Sequence, residues 1–278
     1  MKLKYEITNI QHPDNSKLFR IRALRDISII GVGCWIYVKA GDLGGYVEHE
    51  GNLSQEEDCW IGDNAQVYDN AQVYSHAQVY DNARVFGEAQ IMCNTQVFGN
   101  AQIFGHGRLS DNVKVYENAQ VFGNGWACDN AQVFDDAQVY GNAQVFGRAL
   151  IYDRARLLGK AQVSRYSRVY GDARVSGMAW IGGNAQVYGN AQVYSHAQVY
   201  GSVLVYGDAK VSGHASVTGN TEINKKMKIL GESIFYYSDQ IYYVEGVTAY
   251  FDKRKTLHVN GTRKHKYHHE TLARVKLS

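Results

Sequence analysis

A single proline, Pro13, occurs in 278 residues, so almost every backbone N–H of the chain can donate a hydrogen bond. The four cysteines (Cys34, Cys59, Cys93, Cys128) include no close pair at metal-binding or redox-motif spacing, and neither a disulfide framework nor a metal site is expected. No apolar run approaches the ~18–20 residues of a membrane-spanning helix. The opening Met-Lys-Leu-Lys-Tyr-Glu does not read as a secretory signal, so a cytoplasmic setting without a membrane partner is the expectation. A net charge of +2 is too small to imply nucleic acid or an anionic membrane by itself. An apolar fraction of 45% with 20% charge excludes a disordered chain.

Glycine (28) and tyrosine (21) are abundant, and Asn-Ala-Gln-Val-Tyr recurs almost unchanged. From Ile61 to Ile229 every sixth residue is Val, Ile or Leu, with Ala127 the exception among 29 positions. Two residues earlier runs a second column that is Ala at 20 of those 29 positions. A period of six fits neither the 3.6 of a helix nor a pentapeptide repeat. Side chains alternate faces along a strand, so the β-branched residue at i and the small residue at i−2 point inward, while i−1 and i+1 point outward. Gly or Asp followed by Asn, as in Gly141-Asn142 and Gly189-Asn190, then supplies the left-handed backbone of a tight corner. Each hexad is one short strand and one corner.

This pattern resembles the hexapeptide repeat of left-handed parallel β-helices, where three hexads form one triangular coil. The resemblance implies an all-β, single-stranded left-handed parallel β-helix of nine to ten coils, roughly 45 Å long at a strand spacing of ~4.8 Å. Three regions are expected: a β-rich N-terminal cap over 1–52, the repeat over 53–230, and a hairpin-like C-terminal cap with a basic tail over 231–278. Both end segments are read as caps because an open coil would expose unpaired strand edges. Leu18-Phe19-Arg20-Ile21-Arg22-Ala23-Leu24-Arg25-Asp26-Ile27, Gly41-Asp42-Leu43-Gly44-Gly45-Tyr46-Val47 and Asn52-Leu53-Ser54 are similar to the opening of YdcK-like hexapeptide-repeat proteins of bacteria and prophages. That resemblance implies a CoA-dependent acyltransferase, or a phage-associated accessory protein acting on a host partner.

Folding the sequence at three hexads per coil separates the outward faces. At i+1, one face carries Tyr80, Phe98, Tyr116, Phe134, Tyr152, Tyr170, Tyr188 and Tyr206. A second carries Tyr68, Phe86, Phe104, Phe122 and Tyr140, then Leu158 and Ser176. The third, with Tyr74, Met92, Ser110, Cys128, Phe146, Ser164 and Gly182, has no ladder. Rings one coil apart can simply stack and stiffen the sheet. Stiffening alone does not distinguish faces, whereas two aromatic stripes exceed the apolar patch of a typical soluble monomer. Coverage by another chain is therefore expected: a homotrimeric ring in which one ladder face meets the other, together with a further protein partner. The Gln-rich i−1 column is read as hydrogen-bonded ladders; sugar chains or nucleic acid are the other reading, weak without a basic stripe.

Acyltransferases of the resembled class use a histidine as general base between subunits, with acetyl-CoA or another acyl-CoA as donor. The candidates are His76, His106, His196 and His214, all at corners, with His196 and His214 a coil apart and the best placed. A solvated polar turn is the plainer reading. The unbroken run of hexads also lacks the extruded loop that helps such enzymes enclose an acyl donor. From Lys253 the tail carries eight Lys or Arg against one Glu, with His258, His265, His268 and His269. His265, His268 and His269 have helix-compatible metal spacing but no acidic or thiol partner, so a solvated basic tail is the plainer reading, and contact with nucleic acid through it is a third reading of function. The favoured expectation is a rigid, non-catalytic interaction scaffold with no cofactor.

Overall fold

The computed structural model describes residues 3–31, 34–223, 228–229, 233–235, 242–244, 247–251 and 257–260. It is an all-β parallel solenoid of about ten turns, and the one helical element among the described residues is a 3-10 turn at Glu50–Asn52. Each hexad from Trp60–Ile61 to Lys228–Ile229 contributes a two-residue strand. Strands one coil apart pair in parallel at a constant offset of three hexads, as in Val67↔Val85↔Ile103. Every third strand falls in the same sheet, giving three sheets around one interior.

The interior is narrow and largely apolar. Among the described residues the inward positions i and i−2 are buried along the rod, for instance Ala131 and Val133, then Ala137 and Val139. The backbone is satisfied by the neighbouring coil: Gln66 N donates to Ala83 O (2.9 Å) and Tyr68 N to Val85 O (3.1 Å). Corners close on themselves, Ala65 N donating to Gly62 O at 3.1 Å. They also bond along the rod through side chains: Asp81 Oδ2 accepts from Gly99 N (2.9 Å), and Asp129 Oδ2 from Gly147 N (2.8 Å). A proline in this wall would remove one of these donors, which explains why the only one lies outside it.

The N-terminal strands extend the first of these sheets. β1 (Tyr5–His12) and β2 (Asn15–Ala23) pair antiparallel, and β2 pairs antiparallel with β5 (Leu43–Val47). Between them β3 (Ile27–Gly31) and β4 (Cys34–Val38) form a separate hairpin. β5 already runs parallel to Gln66–Val67, and Leu53 bridges Val73, so solenoid-type pairing starts ahead of Ile61. Both contacts span a longer interval of chain than the regular three hexads, which the pairing of Ile61 with Val79 already keeps. The extra length lies in the loop between Leu53 and Trp60.

The Leu-Gly-Gly-Tyr element is where β5 lies down on the first coil. A Cβ at Gly44 would stand 2.5 Å from Ile61 O, and one at Gly45 2.6 Å from Ala65 O. Arg20 spans the junction, donating to Gly44 O (2.7 Å), Asp63 O (2.9 Å) and the Tyr46 hydroxyl (3.1 Å). Buried Asn52 uses its whole amide: Oδ1 accepts from Glu48 N and His49 N, and Nδ2 donates to Asp69 O and Ala71 O. At the other end, Ser233–Phe235 pairs in parallel with Ser216–Val217 and continues as an antiparallel meander through Tyr242–Val244, Val247–Phe251 and Leu257–Asn260. The basic tail beyond Asn260, with His265, His268 and His269, lies outside the described residues.

Candidate functional site: aromatic ladders and corner histidines

Parallel pairing at constant register brings identical hexad positions into vertical columns, and the outward rings stack as the three-hexad coil predicts. On the longer ladder face, Tyr80, Phe98, Tyr116, Phe134, Tyr152, Tyr170, Tyr188 and Tyr206 lie with neighbouring centroids 4.8–5.0 Å apart and planes within 6°. On the shorter one, Tyr68, Phe86, Phe104, Phe122 and Tyr140 stack at 4.7–5.0 Å. Stacking leaves every one of these rings half-buried. What solvent meets is a row of ring edges rather than a sheet of ring faces. Burial raises the phenol pKa of Tyr116, Tyr152, Tyr170 and Tyr188, and nearby carboxylates add to the effect at Tyr116. The hydroxyls reach sideways: Tyr116 donates to Gln132 Oε1 (3.4 Å) and Tyr170 to Gln186 Oε1 (3.2 Å).

The third face differs. Ser110, Ser164 and Gly182 interrupt its i+1 column, and Trp180 folds over Gly182 with its indole N–H donating to Ser164 Oγ (3.1 Å). Trp126, from the i−1 column, stands 41% exposed there. The Gln columns form the expected amide bonds at several rungs, including Gln138 Nε2 to Gln120 Oε1 (3.1 Å) and Gln162 Nε2 to Gln144 Oε1 (3.2 Å). Corner Asn residues do the same, with Asn124 Nδ2 donating to Asn142 Oδ1 at 3.0 Å. These bonds use the polar side chains along the rod.

His196 and His214 stack with centroids 4.6 Å apart and planes at 12°. Both are exposed, and among the described residues neither has a side-chain hydrogen bond or a carboxylate that would orient its imidazole. His106 lies on the same edge and meets Glu88 at 3.1 Å, both exposed; His76 lies on another edge. The four histidines are therefore not gathered into one site. Between Trp60 and Ile223 the wall carries no extruded loop.

Two further features were not foreseen. A groove of about 330 Å³, lined by Val38, Leu43, Trp60, Asp63 and Tyr80 among others, opens where the longer ladder begins. The signal in the sequence is Gly62, which stands in the ladder column where a further ring would lie. Ligand atoms of Asp111, Cys128 and Asp129 fall within 4.8 Å of one another. Asp111 already accepts from Asp129 N (3.2 Å) and Ser110 Oγ (2.9 Å). Burial, then the two carboxylates, push the Cys128 thiol up to about 11, so it is a poor thiolate donor near neutrality.

The wall between Ala77 and Ile91 spans three consecutive rungs, as does that between Ser167 and Gly183. Both stretches match the YdcK beta solenoid repeat. The YdcK-type repeat thus coincides with rungs whose backbone pairing and inward columns are the same as those along the rest of the rod. No curated protein matches the chain.

Proposed function

We propose that this YdcK-type solenoid is a rigid, non-catalytic scaffold that binds further copies of itself, and a protein partner, through its ladder faces. The asymmetry of the faces carries the reading: one face stacks rings from Tyr80 to Tyr206, a second from Tyr68 to Tyr140, and the third has no such ladder. Internal stiffening would be served equally by all three. Two non-equivalent ladder faces on one rod fit a heterologous contact that closes into a threefold ring, with the plainer third face turned outward. Half-buried ring edges need less partner surface than free ring faces, and they offer a flat stripe repeating at strand spacing. The prophage setting implied by the resemblance makes a host protein the partner to seek.

The test is solution mass by light scattering, for the parent chain and for Tyr116→Glu with Phe134→Glu. A trimer that dissociates in the double variant, with the β-rich circular dichroism retained, supports the scaffold. An unchanged oligomer in that variant, or a monomeric parent chain, overturns self-association through the ladder.

The stacked His196 and His214 pair favours a second reading, acyl transfer with a corner imidazole as base. The lack of an orienting carboxylate among the described residues and the unbroken wall weigh against it. Acetyl-CoA should leave the melting temperature unchanged; a rise that disappears in His196→Ala would favour the enzyme.

A further inference from the structure

Lys4 is fully buried, which is rare for lysine unless it is paired with an opposite charge. Among the described residues no carboxylate lies within ion-pair distance of it, although Asp58 acts on it from farther away. Its Nζ lies 2.9 Å from Cys59 O, 3.2 Å from Glu56 O and 3.1 Å from Cys59 Sγ. Cys59 is also fully buried, in the small inward column otherwise dominated by alanine, and lies in the lengthened loop of the first coil. The amine satisfies two carbonyls, which fix its direction, and its remaining neighbour is one thiol.

Burial lowers the Lys4 pKa and raises that of Cys59, each favouring the uncharged form. Only the uncharged amine carries the lone pair that an ammonium lacks, so it is in that form that Nζ can be oxidised. We propose that Lys4 and Cys59 form a covalent cross-link, Nζ–O–Sγ, when the protein meets dioxygen. In this step the thiol and the amine combine with one dioxygen molecule. Sulfur and nitrogen each lose two electrons, and dioxygen takes all four. One oxygen atom bridges Nζ and Sγ; the other leaves as water with the thiol proton and one amine proton. A single bridging oxygen leaves the two atoms near their present separation, whereas a direct S–N bond would roughly halve it within a packed interior. The cross-link would join the residue that precedes β1 to the loop before the first rung, closing the N-terminal segment covalently.

The test uses the full chain, purified under reductant and nitrogen and then held in air-saturated buffer. Intact mass should rise by one oxygen less two hydrogens, trypsin should no longer cleave after Lys4, and the peptides bearing Lys4 and Cys59 should travel together until dithiothreitol is added. Lys4→Arg, which keeps N–H donors for the two carbonyls without an oxidisable amine, and Cys59→Ala, the usual residue of that column, should both abolish the product while staying folded. An unchanged mass after prolonged aeration overturns the proposal. So does oxygen added to Cys59 without linkage, or the same mass gain in Lys4→Arg.

Discussion

One residue per hexad turns the chain. Each corner from Asp63 to Gly219 has its i+2 residue at positive φ, glycine at many and Asp, Ser or another side chain at the rest. Asp suits the position twice, because it tolerates the left-handed region and its carboxylate accepts the N–H of the corner above. Glycine is required where that neighbour is too close. A Cβ on Gly147 (φ +73°) would lie 2.6 Å from Arg165 N, whereas one on Gly62, without positive φ, meets nothing nearer than 3.6 Å. Gly147→Ala should therefore destabilise by about 1–3 kcal/mol in urea unfolding, and Gly62→Ala by well under ~1 kcal/mol. Equal effects would show that the corner backbone is not the constraint.

At the scale of the element, the rung is two residues long and gains its stability from neighbours rather than from itself. The ladder tyrosines add a pH dependence. Their folded pKa values lie above the ordinary phenol value of about 10, so the folded state holds protons that the unfolded state releases. The stabilisation is complete below that value and is lost as pH climbs through the higher folded values. The urea midpoint should fall between about pH 9 and 12, and Tyr→Phe at Tyr116, Tyr152, Tyr170 and Tyr188 together should flatten that fall. The ladders were legible in the sequence because constant spacing without insertion maps each position onto its equivalent three hexads on. Their half-burial was not, since it depends on the close ring-to-ring approach, 4.9 Å between Tyr116 and Phe134.

The whole molecule separates core from faces. Removing three whole hexads, 131–148, joins Asn130 to Ala149 in register and should leave a shorter rod with its faces in order. Removing a single hexad, 131–136, also keeps the inward columns but turns every later hexad onto the next face. Both deletions should keep β-rich circular dichroism, and only the whole-coil deletion should keep the assembly proposed above. If both assemble alike, the ladders do not direct it.

The sequence by itself determined the rung, the corner, the inward pair and the vertical columns, because a strict period leaves one register that buries Val and Ala together. It could not place the ends, where the period lapses. Three-dimensional packing alone brings Arg20 to Gly44 and Tyr46, threads Asn52 between two carbonyls of the first coil, and sets Lys4 against Cys59 from far along the chain. Those contacts join segments with no shared periodicity. They follow from shape and from the need of each buried polar group for a partner, and no spacing in the chain announces them.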